Sequence, residues 1–453
     1  MSETPPMLEQ AVASFIASPP ALPETVRAAG RRSLLNMVGT AIGGSGEAAI
    51  DRLAEFSTRF GGKATATLIG RKEGADMLWA AGINAAAANI FDFDDTHIPT
   101  VIHPSAPVGP ALLGLAETRA AEGHPVSGRL LLEAFVLGVE IACRLGNAAG
   151  AAHYARGWHI TSTCGIFGAA LACGRLLGLS PRELIDALGN ALAQSGGSVE
   201  TLGTMSKSLG VGQAARGGLM AALLAEGGYA GPERPLTGER GFFALYCEAP
   251  DAARLTDGLG NRWEILNNTF KPYPCGVVLN PVIEACLALY AQGGFDPQAI
   301  VQVELTGHPL LRQRTDRPDV TSGRLSQVSA QHAVAVSLLR GKADLGAFSD
   351  ESAADPELRA FGSKLRFRDD SSFTLDSARV QLRFADGSDV ERTVNAARGG
   401  LARPLSEEDL AAKLAAQVEW RKLDLPVDKL VAAIEDLEEA EDGAAFLALT
   451  RPR

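Results

Sequence analysis

From Pro6 to about Gly228 apolar residues recur at close to a 3.6-residue spacing, interrupted by short polar or glycine-rich breaks. After Pro23-Glu24, the residues Val26, Ala29, Leu34, Met37, Val38, Ala41 and Ile42 fall on one helical face, and Gly43-Gly44 ends the run. The same period predicts helices over 48–60, 75–91, 107–122, 128–149, 162–177, 180–195 and 206–226. Ser180-Pro181-Arg182-Glu183 has the composition of a capping box with proline at the first helical position. Residues 64–69 (ATATLI) alternate weakly and suggest a short hairpin strand. Residues 227–262 are rich in Gly and Pro and read as loops around one short helix over 242–247.

After Lys271-Pro272-Tyr273-Pro274 the pattern changes. Residues 281–292 and 329–339 remain helical, but 300–306 (IVQVELT), 364–367, 377–384 and 390–395 alternate with period two, as strands do. Asp386-Gly387 supplies turn chemistry for a hairpin between the last two. Helical spacing returns over 406–418, 427–437 and 443–449. The expected fold is therefore mainly α. A large all-helical domain is expected from 1–268 with 400–453, and a smaller α+β domain over 269–399.

Composition narrows the function classes. Net charge is −11, and no basic run or interleaved aromatic platform is present, which argues against a nucleic-acid partner. The six cysteines form no C-x-x-C pair and read as buried free thiols of a reducing compartment. Residues 1–20 lack the basic start of a signal peptide. No apolar run reaches the ~18 residues of a membrane span. The expectation is a cytoplasmic protein with no membrane partner.

Chemistry concentrates at the breaks between apolar helices. Residues 89–104 (NIFDFDDTHIPTVIHP) place Asp92, Asp94, Asp95, Thr96, His97 and His103 between two greasy runs, which is unfavourable unless those groups have partners. Three readings stay open. Asp92 and Asp95, three apart, share a face if the helix continues, and could hold Mg²⁺. The stretch could be a solvated acidic turn. Or it serves acid–base chemistry, with His103 as the titrating group and Ser105 capping the next helix. Gly157-Trp158-His159-Ile160-Thr161-Ser162-Thr163 puts a second histidine at a helix start, in either a structural or a proton-transfer role. Lys207, in TMSK, stands at the positive end of a helix, which suits an anionic partner as well as solvent. Gly210, Gly212 and Ala215 mimic a dinucleotide fingerprint without the strand it requires. Gly210, Ala214 and Gly218 instead give a smooth face for close packing. In Phe270-Lys271-Pro272-Tyr273-Pro274-Cys275 two prolines fix the backbone around a lysine and a tyrosine. Arg312, Arg314, Arg317 and Arg324 read mostly as a solvated basic loop, and His332, at a helix start beyond them, is a further candidate. No histidine pair has zinc spacing.

Taken together, DFDDT and HPS, then GWH-x-TST-x-G-x-FGAA, then TMSK ahead of G-x-AAR-x-G, then GFFALY and FKPYPC, resemble the MmgE/PrpD family from about Ala11 to Leu410. The resemblance implies a helical domain built from both chain ends, an α+β lid domain, a homodimer, and no metal or organic cofactor. It implies proton chemistry next to a carboxylate on a small polycarboxylic acid, by a dehydratase, decarboxylase or epimerase. It places the site on Asp92, Thr96, His103, His159, Lys207 and Lys271. Val277 and Asn280 depart from the arginine and histidine that many members carry after KPYP. The wording around GWH and TMSK is nearer to the iminodisuccinate epimerase branch. On this reading His103 and His159 act as base and acid, in either order, and Asp92 orients a histidine or balances charge. Thr96, Tyr273 and His332 contact the substrate, while Lys207 and Lys271 neutralise its carboxylates. Two other classes remain: a Mg²⁺-dependent helical enzyme using Asp92 and Asp95, and an inactive homologue that still binds a polycarboxylate.

Overall fold

The computed structural model describes residues 7–452. The chain divides into two compact units. Among the described residues, one holds 7–90, Asp94–Asn268 and 407–452; the other holds Phe91–Phe93 and Thr269–Ser406.

The first unit is helical, as the 3.6-residue pattern predicts. Its main helices are Glu24–Gly44, Met77–Asn89, Ser105–Ala121, Gly128–Ala149, Ile160–Leu177, Pro181–Leu192, Met205–Glu226 and Glu407–Trp420. Abundant small residues set how closely they pack. A Cβ placed on Gly212 would lie 2.5 Å from the Gly82 carbonyl oxygen, and one on Gly168 would lie 2.5 Å from that of Gly138. Any larger residue there would push the helices apart. The face of Gly210, Ala214 and Gly218 does pack this way, a Cβ on Gly218 falling 2.5 Å from that of Ala169. The capping box forms: Ser180 N–H donates to Glu183 Oε2 at 2.7 Å, and Glu183 N–H to Ser180 Oγ at 3.4 Å. The weak alternation over 64–69 becomes a two-stranded hairpin, Ala66–Thr67 against Gly74–Ala75.

One sequence expectation needs correcting here. Ile160–Leu177 is long and apolar enough, by length and composition, to cross a membrane. It serves instead as a central helix of this unit, with 89% of it buried.

The second unit is α+β. Its four-stranded sheet runs in the order Leu365–Asp369, Ile300–Gly307, Ala378–Phe384, Asp389–Val394, with the first pair parallel and the others antiparallel. Ala378, Val380, Leu382 and Phe384 are buried on alternate positions, the period-two signal realised. Helices Asn280–Gln292 and Ala330–Arg340 share their core. Gly387, at φ +85°, makes the turn between the last two strands. The region read as a basic loop contains a helix, Pro309–Thr315, started by proline and capped by His308 Nδ1.

Candidate functional site

In the first unit the aspartate stretch is held from several sides. The helix ends at Asn89, not at Phe91. Asn89 Nδ2 donates to Asp94 Oδ2 at 2.7 Å. Asp94, Asp95, Thr96 and His97 are all buried. The Asp95 carboxylate accepts from Ser105 Oγ at 2.5 Å, Asn268 Nδ2 at 2.9 Å and Ser105 N at 3.4 Å. Ser105 is therefore not the helix cap expected from the sequence; it is the first helical residue, and its hydroxyl is engaged by Asp95. Burial pushes the Asp95 carboxyl up to about 7; the Ser105 hydrogen bond opposes this and the charge of Asp94 adds to it.

His103 sits over this network. Its Nδ1 lies 2.8 Å from the Asp95 carbonyl oxygen. A carbonyl only accepts, so Nδ1 carries the proton and the lone pair of the neutral ring falls on Nε2. Asp94 Oδ1 at 3.3 Å and Thr96 Oγ1 at 3.4 Å flank the same nitrogen. The backbone N–H of His103 donates to Thr161 Oγ1 at 3.1 Å, which ties it to the start of helix Ile160–Leu177.

His159 immediately precedes that helix. Its Nδ1 is 2.8 Å from Ser162 Oγ, and its N–H donates to the Gly197 carbonyl at 3.2 Å. Gly197 has φ +134°, and a Cβ there would sit 2.7 Å from Ser162 Cβ. His103 and His159 are thus joined through one turn of helix, by Thr161 and Ser162. Lys207 is the third residue of helix Met205–Glu226, just after the Thr204 cap, and only 8% exposed. A cation so enclosed at the positive end of a helix favours an anion nearby.

The other two histidines in this unit's interior have structural partners. His153 Nδ1 donates to the Tyr246 carbonyl at 3.0 Å, and Nε2 pairs with Thr163 Oγ1 at 2.7 Å; burial lowers its proton affinity. His97 lies between Thr100 Oγ1 at 2.7 Å and Glu264 Oε2 at 3.2 Å. The hydrogen bond from His97 draws Glu264 down to about 2, against the opposing effect of burial.

In the second unit Asp92 adopts φ +51°, in the left-handed region. Lys271 holds it there: Nζ donates to the Asp92 carbonyl at 2.7 Å and pairs with Oδ2 at 3.0 Å. Lys271 is 2% exposed and Asp92 25%. Gln327 Nε2 donates to the neighbouring Phe91 carbonyl at 2.9 Å. This geometry overturns the shared helix face required by the Mg²⁺ reading. Asp92 lies beyond the helix end, its Oδ2 faces an ammonium, and both oxygens of Asp95 accept from Ser105 or Asn268.

Tyr273 is raised to about 12 by burial, with the charge of Glu284 adding to it. Cys275 Sγ lies 3.7 Å from Asn280 Oδ1, and burial raises its thiol. His332 Nε2 donates to the Ala347 carbonyl at 2.7 Å, and the ring packs on Phe348. Burial lowers its proton affinity. Its ring is anchored in the core of the second unit. Arg312 forks onto Asp369 at the surface.

Sequence reading missed Thr161 and Ser162 as links between the histidines. It also missed Lys413, which is 8% exposed with Nζ 2.7 Å from Asn36 Oδ1. The available signal was a lysine on the apolar stripe of Leu410, Leu414 and Val418.

The MmgE/PrpD N-terminal domain matches residues 10–255 and the MmgE/PrpD C-terminal domain residues 273–425. Cis-aconitate decarboxylase of Mus musculus is 27% identical over 432 residues, 93% of this chain and 88% of that protein. The Homo sapiens cis-aconitate decarboxylase is 27% identical over 434 residues, 93% and 89%. That of Aspergillus terreus is 30% identical over 365 residues, 74% and 73%. With both domains matched in order across most of its length, the chain is an enzyme of the lyase type and belongs to the MmgE/PrpD family.

Proposed function

We propose that this enzyme decarboxylates a small unsaturated di- or tricarboxylic acid of the cis-aconitate kind, using its own side chains for proton transfer and no cofactor. The observation that carries the reading is His103: buried, with Nδ1 donated to the Asp95 carbonyl and Nε2 as the basic nitrogen. A histidine held in one tautomer is matched to proton transfer near neutral pH. His159 is the second proton-transfer group. Thr96 hydrogen-bonds the substrate, and Lys207 neutralises a carboxylate, since charge developing beside a carboxylate must be stabilised. Lys271 is read as a further cation with Asp92 holding it in place, and Tyr273 as a substrate contact. The active species is a cytoplasmic homodimer.

Decarboxylation ranks above elimination and epimerisation because the relatives named above are decarboxylases. All three outcomes involve proton transfer next to a carboxylate and differ in what leaves, so one experiment separates them. The protein is incubated in D₂O with cis-aconitate and a panel of di- and tricarboxylic acids, and followed by NMR. Decarboxylation releases CO₂ and places one deuterium in the product. Elimination gives a new alkene signal without loss of carbon. Epimerisation gives deuterium uptake with no other product. Binding without any of these would leave the inactive homologue, for which Val277 and Asn280 supply the motive. Full activity in EDTA is expected, and its loss would revive the Mg²⁺ reading.

A further inference from the structure

In the first unit, residues 241–246 (GFFALY) carry a short helix, Phe242–Tyr246. Its last residue, Tyr246, touches both sides of the turn that carries His159. On one side its ring lies 4.6 Å from the ring of Trp158, the residue before His159. On the other its hydroxyl donates to the Ser195 carbonyl at 2.9 Å, two residues before Gly197. The two sides are themselves paired. Val199 N–H donates to the Gly157 carbonyl at 2.8 Å, and His159 N–H to that of Gly197 at 3.2 Å. Tyr246 is in turn held from behind: its ring stacks on the fully buried Phe242 at 5.1 Å and 16°, and its carbonyl accepts from His153 Nδ1 at 3.0 Å.

The Ser195 side has few side chains to fix it. Gly196 has nothing within 4 Å of a Cβ, and Gly197 stands at φ +134°. Two glycines in a row widen the set of conformations open to a turn. Among the described residues, the side-chain tethers on Ser195 are the Tyr246 hydroxyl on its carbonyl and its own Oγ, which donates to the Thr163 carbonyl at 3.2 Å. A phenylalanine at 246 would stack as well on Trp158 and Phe242, so packing does not account for the hydroxyl. We propose that Tyr246 is a positioning residue for the reaction: it pins the Ser195–Gly197 turn and the Trp158 ring to one rigid group, and so holds the His159 imidazole where it meets the substrate. The proposal rests on the reading of His159 as a proton-transfer group.

The test uses Y246F, S195A, H159Q and the Y246F/H159Q double variant of the full chain. Y246F keeps the stacked ring and the carbonyl that accepts from His153, and removes only the bond to Ser195. Its kcat on cis-aconitate should fall roughly 10-fold with KM changed by less than about twofold, short of the roughly 10²-fold that a full 1 Å displacement can cause. S195A removes the second tether and should lose rate in the same sense. In the H159Q background, assayed at raised enzyme concentration, Y246F should cause no further loss, because the group it positions is gone. An unchanged kcat in Y246F and S195A overturns the proposal, and so does an equal loss with and without His159. Backbone hydrogen exchange, followed by mass spectrometry, reads the positioning without turnover. In Y246F the amides of 195–199 and of His159 should exchange about 10-fold faster, while 165–177 of the adjoining helix should match wild type. Unchanged exchange, or a uniform rise across both segments, overturns the pinning of the turn. If Y246F does not fold, S195A is judged by the same two measurements. If wild type turns over no carboxylate, the functional reading fails and the catalytic part of the proposal falls with it, while hydrogen exchange still decides whether Tyr246 holds the turn.

Discussion

The Nδ1 of His103 and the carbonyl oxygen of Asp95 stand 2.8 Å apart, so the backbone itself fixes the tautomer of the ring. The contact is independent of pH, because a carbonyl accepts from imidazole and imidazolium alike. His103→Gln should therefore lower kcat by roughly 10²- to 10⁴-fold with a much smaller change in KM, the loss typical of removing a positioned acid or base. Steady-state kinetics on the substrate found in D₂O reads both. Unchanged turnover in both His103→Gln and His159→Gln would remove the proposed chemistry.

Asp92 and Lys271 give a prediction for the second unit. Lys271 is nearly fully buried and holds both the carboxylate and the carbonyl of Asp92. Removing one partner of a buried pair costs ~3–5 kcal/mol, and less where the other partner meets solvent, as Asp92 does. Lys271→Met should destabilise by about 2 kcal/mol. Asp92 also pays for its left-handed backbone, so Asp92→Gly should be more stable than Asp92→Ala by about 1 kcal/mol, although both lose the ion pair. Denaturant unfolding ranks the three. If Asp92→Ala equals Asp92→Gly, the backbone at 92 relaxes without cost.

What the sequence made legible follows from the range of the interactions. Helices such as Gly128–Ala149 and strands such as Ala378–Phe384 announce themselves because burial repeats along them every few residues. His103, His159 and Lys207 stood out as polar groups at breaks between apolar runs. The end of helix Met77–Asn89 was not legible, because Asn89-Ile90-Phe91 carries no glycine or proline. Beyond it, Asp92 is held left-handed by a lysine 179 residues away in sequence. Lys413 reaches Asn36 across 377 residues, so no local pattern could assign its partner. The helix Pro309–Thr315 was obscured by its arginines, which read as a solvated loop.

His97 and Glu264 predict an acid-side effect. Glu264 is lowered to about 2 from 4.5, chiefly by its hydrogen bond with His97. A depressed carboxyl contributes stability that is present above pH 4.5 and lost as pH falls through 2. His97→Gln should cost stability at pH 6, and the gap from wild type should close between about pH 4.5 and pH 2. Unfolding curves across that window check it. A gap independent of pH would mean that the His97 ring contributes by packing alone.

Gly197 gives the sharpest link between backbone and chemistry. Its φ of +134° is a conformation that side chains rarely adopt, and a Cβ would fall 2.7 Å from Ser162 Cβ and 3.5 Å from His159 Cβ. Ser162 Cβ is fixed to the helix backbone and cannot swing aside, so Gly197→Ala must move the turn that carries His159, whose N–H donates to the Gly197 carbonyl. The Ser162 Oγ to His159 Nδ1 contact of 2.8 Å would open. Displacing a proton-transfer group by about 1 Å can lower the rate by roughly 10²-fold. Gly197→Ala should therefore lose activity on that scale. Its unfolding should show a loss of about 1–3 kcal/mol, the usual cost of a side chain forced into such a conformation. Gly196→Ala, one residue away with nothing within 4 Å of its Cβ, is the control and should keep both. Equal activity in the two variants would show that His159 is not held by this turn.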